Sequence, residues 1–130
     1  HIHCIVMYIT KKGWTGMISK SLIAASTKPM LLSILLNGKS YGYQIIQRVR
    51  SLSGGKFKWS DGMLYPVLHR LERDGLITSQ WRISDGKRPR KYYTLTEKGR
   101  EAWAAEQKQW MSVNDVLAKL WESLPSPASA

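Results

Sequence analysis

The chain has one cysteine, Cys4, so no internal disulfide can form and the fold must be held by its core; a lone thiol fits a reducing, cytoplasmic setting. Acidic residues are also few. Nine Asp and Glu stand against twenty Lys and Arg, giving +11 at neutral pH and a pI near 10.0, which favours a polyanionic partner such as nucleic acid or a membrane surface. No apolar run approaches the roughly 20 residues that a membrane-spanning helix requires. Of the three histidines, His1 and His3 sit at the very start, so no His/Cys cluster has metal-ligand spacing, and neither a metal nor a cofactor is expected. No G-x-S-x-G or related nucleophile motif is present. The stretch SGGKFKWS (53–60) has some likeness to a phosphate loop, but its first glycine is misplaced and Phe57 stands where Ser or Thr must follow the lysine. Catalysis is therefore not expected, and no catalytic residue is assigned.

What remains is a globular composition, 43% hydrophobic over 130 residues, sufficient for one domain with a modest core. Residues 1–16, HIHCIVMYITKKGWTG, have neither a cap nor a regular period. They read as an arm outside the fold, of vector or upstream-translated origin, and their IVMYI run is too short and lacks the basic flank of a signal peptide. Residues 125–130, PSPASA, read as a disordered tail.

Between these ends the periodicity defines an ordered series of elements. TKPMLLSILL (27–36) predicts a buried helix with Thr27 as cap, Pro29 in its first turn and Gly38 as its stop, and residues 18–26 form a possible helical lead-in. Ser40 is expected to cap a second helix from about Tyr41 to Leu52, whose Ile45, Val49 and Leu52 share one face. Residues 56–59 fit one short strand. SDGMLYPVLHRLERDGL (60–76) then predicts a third helix: Leu64, Val67, Leu68 and Leu71 fall at i, i+3, i+4, i+7, Ser60 is a good N-cap, and Gly75 sits where a left-handed C-cap belongs. Its other face carries Tyr65, His69, Arg70 and Arg73.

After Gly75 the period changes to two. Ile77 to Ile83 and Lys91 to Leu95 read as two strands joined by a loop carrying Lys87, Arg88, Arg90 and Lys91. Trp59 and Trp81 are read as packing residues beneath the third helix and within the hairpin. Three helices followed by a cationic hairpin form a winged helix-turn-helix pattern, and the fold class is mainly α with a small β-hairpin. Its domain spans 17–95.

YGYQII (41–46), GMLYPVLHRLERDGLI (62–77) and RKYYTLTEKGRE (90–101) resemble the PadR family of bacterial transcriptional regulators, over roughly residues 27–124. The resemblance implies a winged-helix DNA-binding domain, a C-terminal dimerisation helix and usually a repressor role. Ser60, Gly62, Leu64, Tyr65, Pro66 and Arg70 match the family's recognition-helix positions, and Arg90, Lys91, Tyr92 and Tyr93 its wing. In a helix-turn-helix the N-terminal half of the recognition helix enters the major groove. Gly62 would give clearance there, with Ser60, Met63, Tyr65, Pro66, His69 and Arg70 around it and Tyr41 or Tyr43 near a phosphate. The competing reading of these side chains is internal: Arg70 and Arg73 paired with Glu72 or Asp74, Tyr65 half-buried, and Tyr43 in the core.

Thr96 is positioned to cap a last helix over 96–124, whose apolar seam runs through Trp103, Trp110, Val113, Leu117, Leu120 and Leu124. A helix this long needs a partner. A second copy is economical, with Val113, Leu117, Leu120, Trp121 and Leu124 in a homodimer that presents two recognition helices to a palindromic operator in double-stranded DNA. The resemblance further places an aromatic residue, here Trp110, beside a central cleft in some small members that accepts flat aromatic compounds. With Trp103 seven residues earlier and Glu106 breaking the seam, the expected effector is planar aromatic or amphipathic, although plain dimer core is an equally simple use of Trp110. The alternatives are a basic RNA-binding module or a protein-interaction module on the same scaffold without an effector. A membrane-surface role lacks the basic amphipathic helix it would need.

Overall fold

The computed structural model describes residues 16–83 and 86–124, so the expectations for the remainder of the N-terminal arm and for the tail lie outside the described residues. The elements are α1 (Lys20–Leu36), β1 (Ser40–Tyr41), α2 (Gly42–Leu52), α3 (Asp61–Arg73), β2 (Ile77–Arg82), β3 (Arg90–Leu95) and α4 (Glu97–Glu122). This is a winged helix: mostly helical, with a three-stranded antiparallel sheet in the order β1-β3-β2. Residues 17–104 form one compact unit.

The first helix begins earlier than the cap at Thr27 predicts. Ser19 is the N-cap, its Oγ accepting from the Leu22 N–H at 3.2 Å, and Thr27 is buried within the helix with its hydroxyl donating to the Ile23 carbonyl at 2.6 Å. Pro29 therefore lies in the helix interior, where its missing N–H deprives the carbonyl of Ala25, an exposed residue that water can reach. The helix continues because Leu31, Leu32 and Leu35, the last 3% exposed and the others fully enclosed, pack into the core. Full burial of a leucine contributes about 2 kcal/mol, so the three together exceed the roughly 3 kcal/mol that an interior proline costs.

Two other expectations are corrected. Ser40 is not the cap of α2 but part of β1, paired with Tyr93, and Tyr41 takes the cap position. The Gln44 carboxamide reaches back to accept from the Ser40 hydroxyl at 3.1 Å and the Tyr41 N–H at 3.4 Å. Residues 56–59 are loop rather than strand, and Leu52 is 71% exposed at the end of its helix.

The core joins α1 to Ile45 and Val49 of α2, Leu64, Leu68 and Leu71 of α3, Leu76, Ile77, Tyr93 and Leu95. Trp59 is buried immediately before Ser60 and anchors the start of α3, as expected. At the other end of α3, Gly75 adopts φ 77°, and the chain reverses into β2. Thr96 ties this turn to the last helix: its hydroxyl donates to the Gly75 carbonyl at 2.7 Å and accepts from the Gly99 N–H at 3.0 Å. Gly99 is buried so closely that a Cβ there would overlap the Leu76 carbonyl oxygen. The T-E-K-G sequence is thus a cap and a close-packing point together.

The 26 residues of α4 extend about 40 Å at 1.5 Å per residue. In the single chain, Val113, Leu120, Trp121 and Leu124 are exposed, together with Met111 and Val116, which the seam pattern omits, while Leu117 and Trp110 are half-buried.

Candidate nucleic-acid interface

The interface is built from the start of α2, the first half of α3 and the β2–β3 hairpin. Ser60 caps α3 by accepting from the Met63 N–H at 3.2 Å, and Asp61 in the first turn favours the positive end of the helix. Leu64, Leu68 and Leu71 face the core with Val67 half-buried beside them, which leaves Gly62, Tyr65, Pro66, His69, Arg70 and Arg73 exposed, as the periodicity requires. Met63 is the exception among the proposed contacts, since it packs against the core.

Gly62 faces open space. A Cβ built there would meet only the Ser60 Oγ at 3.9 Å, so no internal packing demands a glycine. Pro66 has no N–H to donate to the Gly62 carbonyl, which leaves that exposed residue with an acceptor lacking its usual i+4 donor. The first turn of α3 is therefore slim at Gly62 and carries a spare hydrogen-bond acceptor.

Gly42 is the opposite case. It is buried, and a Cβ on it would stand 2.7 Å from the Tyr65 hydroxyl oxygen, so the Tyr65 ring seats on the start of α2 and fixes α2 and α3 against each other. Tyr65 remains 37% exposed, and Tyr43 is 65% exposed, which places Tyr43 on the surface rather than in the core.

The hairpin cations divide by environment. Lys87 and Arg88 are exposed, whereas Arg90 is half-buried. The Arg90 guanidinium donates to the Tyr41 hydroxyl and lies 4.4 Å from that ring's centroid, and Tyr41 in turn meets Tyr92 edge-to-face at 5.2 Å. Arg90 is thus a strut between the wing and the start of α2, reinforced by the β1–β3 pairing that sequence periodicity could not reveal. Lys91 is half-buried, its ammonium 5.8 Å from the Tyr93 ring. Tyr93 is buried, and its hydroxyl has no hydrogen-bond partner among the described residues. Burial foremost, then Tyr65 and Glu72 nearby, push its pKa up to about 12.

These elements enclose an open groove of about 730 Å³, which brings together Tyr41, Tyr43, Tyr65, His69, Arg88, Arg90 and Lys91 of the expected set. Lys87, Ser60, Gly62, Pro66 and Arg70 lie outside its lining. The lining also holds Gly42, Asp61, Trp81 and Pro89, which the sequence reading did not place among the contacts, and Tyr93 of the wing. Trp81 is no packing residue, being 65% exposed, because β2 outruns the core after Ile77. Arg70 and Arg73 form no ion pair with Glu72 or Asp74 among the described residues, and Glu72 instead accepts from the Ser79 hydroxyl at 2.6 Å.

Trp103, expected beside an effector cleft, is half-buried against the core and donates its indole N–H to the Ser33 hydroxyl at 3.2 Å. Its role within the compact unit is to fasten the start of α4 to α1. Among the described residues, no group of three or more His, Cys, Asp or Glu could hold a metal, and no helix is long and apolar enough to cross a membrane.

Comparison with known proteins agrees with this geometry. The sequence model of the transcriptional regulator PadR-like family matches residues 31–105. A transcriptional regulator of Mycobacterium tuberculosis is 44% identical over 59 residues, which cover 45% of this chain and 54% of that protein. The negative transcriptional regulator PadR of Bacillus subtilis is 31% identical over 74 residues, covering 57% of this chain and 41% of that protein. These alignments thus span about half of those two regulators or less. Solved structures align over nearly their full length. A PadR-like transcriptional regulator from Bacillus cereus superposes with a TM-score of 0.73 at 26% identity, covering 81% of this chain and 100% of that one. A PadR family transcription regulator from Clostridium difficile gives 0.65 at 30% identity, covering 74% and 98%. The chain belongs to the PadR-like family, whose members are transcriptional regulators and not enzymes.

Proposed function

We propose that the chain is a sequence-specific DNA-binding repressor, cytoplasmic and homodimeric, that grips a palindromic operator and is released by a planar aromatic or amphipathic effector. The observation that carries the DNA reading is Gly62. Gly62 is the second residue of α3, and nothing inside the protein requires a glycine there. A slim first turn beside an exposed row of Tyr65, His69 and Arg70 suits close approach to base edges in a major groove. Lys87, Arg88 and Lys91 would neutralise phosphates beside it, and the net charge of +11 adds long-range attraction.

Dimerisation is supported by the exposed Val113, Leu120, Trp121 and Leu124, with Leu117 half-buried among them, on a helix of 26 residues. The effector reading rests on Trp110 and Glu106 of α4, since the Trp103 indole is already engaged by Ser33. Release of DNA requires the effector to prefer a dimer whose recognition helices are not about 34 Å apart.

The test is selection of bound duplexes from a random pool by the purified protein. The expected result is a two-fold symmetric motif with half-sites one helical turn apart, bound more tightly than structured RNA of equal length. Absence of enrichment, or equal affinity for the RNA, would overturn the reading.

A further inference from the structure

Resting on the DNA-binding reading above, we propose that Trp81 is a DNA-contacting residue whose indole packs on the sugar–phosphate backbone beside the recognition helix. Residues 77, 79 and 81 share one face of β2, because side chains alternate along a strand. On that face Ile77 enters the core and Ser79 donates to Glu72 of α3, so the face is turned toward the recognition helix. Trp81 is the next member of the row. It stands beyond the last core residue and lines the groove with Asp61, Tyr65 and His69.

Its surroundings are cationic. Trp81 pairs directly with Lys91 on the same face, and Arg88 and Arg90 line the same groove. A duplex backbone alternates anionic phosphates with the apolar faces of deoxyribose. An exposed indole among cations matches both, with its rings on the sugar and its N–H available to a phosphate oxygen. Charge complementarity therefore favours a polyanionic duplex over an apolar protein partner. Trp59 is buried and Trp103 is bonded to Ser33, so Trp81 is the tryptophan of the compact unit that is 65% exposed and able to meet the backbone.

The experiment titrates a fluorescein-labelled mixed-sequence duplex of roughly 30 base pairs with wild type, Trp81→Ala and Trp81→Phe across a salt series starting at about 50 mM. Trp81→Ala is expected to weaken binding about tenfold with an unchanged slope of log K against log salt, because apolar contact rather than a charge is lost. Trp81→Phe should restore most of the affinity, while losing the change in tryptophan emission that the wild type shows on binding. Circular dichroism should be unchanged, since the side chain is exposed. Affinity of Trp81→Ala within twofold of wild type, or a reduced salt slope pointing to disturbed cations, would overturn the assignment while leaving DNA binding intact. A wild type that binds no duplex would overturn both.

Discussion

The hydroxyl of Tyr65 on α3 lies over the α-carbon of Gly42, so close that a methyl group there would stand 2.7 Å from the oxygen and 3.2 Å from the ring carbon that bears it. Two sequence features 23 positions apart, G-Y-Q and L-Y-P, are thereby one packing unit. A rigid ring cannot yield as a flexible chain end would. Gly42→Ala is expected to destabilise the fold by about 1–3 kcal/mol in urea unfolding and to weaken duplex binding by tilting α3. In the double variant with Tyr65→Ala the stability losses should fall well short of additive, because the second change removes the atoms that the first one strikes. Strict additivity would show that the two residues do not meet.

The wing cations should separate in salt dependence. Replacing Lys87 and Arg88 together with Ala should lower the slope of log K against log salt by about 0.9 per lost phosphate contact, equally on all sequences. Arg90 differs because its guanidinium lies on Tyr41. Arg90→Lys keeps the charge but loses the planar stack and fork, so it should weaken binding while the slope stays near wild type. Equal behaviour of Arg90→Lys and wild type would show that the strut has no bearing on binding.

Assembly has its own readout. Leu117→Asp with Leu120→Asp should convert a dimer at micromolar concentration into a monomer by sedimentation, with much weaker operator binding. A wild-type monomer that still held a palindrome tightly would remove α4 as the dimer element.

Tyr93 predicts a pH effect. Its pKa rises from about 10 in the unfolded chain to about 12 in the fold, so between those values the unfolded state sheds a proton that the native state keeps. Stability contributed by the neutral phenol is therefore fully present below pH 10 and is lost as pH rises through 12, a change on the order of 3 kcal/mol. Tyr93→Phe should abolish that alkaline limb. At neutral pH the same variant should be as stable as wild type or slightly more so, because the hydroxyl it removes has no partner among the described residues. A retained alkaline limb would assign the titration to another group.

A ligand test separates the effector reading from plain dimer core. Planar aromatic cations should quench tryptophan emission and lower operator affinity, and Trp110→Ala should abolish both while the dimer persists. Quenching that survives in Trp110→Ala would move the site elsewhere.

What the sequence determined by itself was local and periodic. The 3.6-residue spacing of Leu64, Leu68 and Leu71 set the faces of α3, Ser60 and Thr96 marked helix starts through short-range hydrogen bonds, and Gly75 marked a stop through its backbone freedom. Each depends on residues within one or two turns, so each is legible in a linear string. What tertiary structure decided depends on partners far away along the chain. The start of α1 follows from how much of the helix finds a core to bury against, which overrode a proline. Strand β1 exists because Tyr93 and Tyr92, some 50 residues on, supply its hydrogen bonds. Arg90 became a strut and Trp103 a fastening for the same reason. Their neighbours, Tyr41 and Ser33, are set by packing rather than by spacing. Trp81 is the clearest instance: the period-two pattern placed it correctly on the face of Ile77, but where the core ends along that face is a property of the folded surface alone.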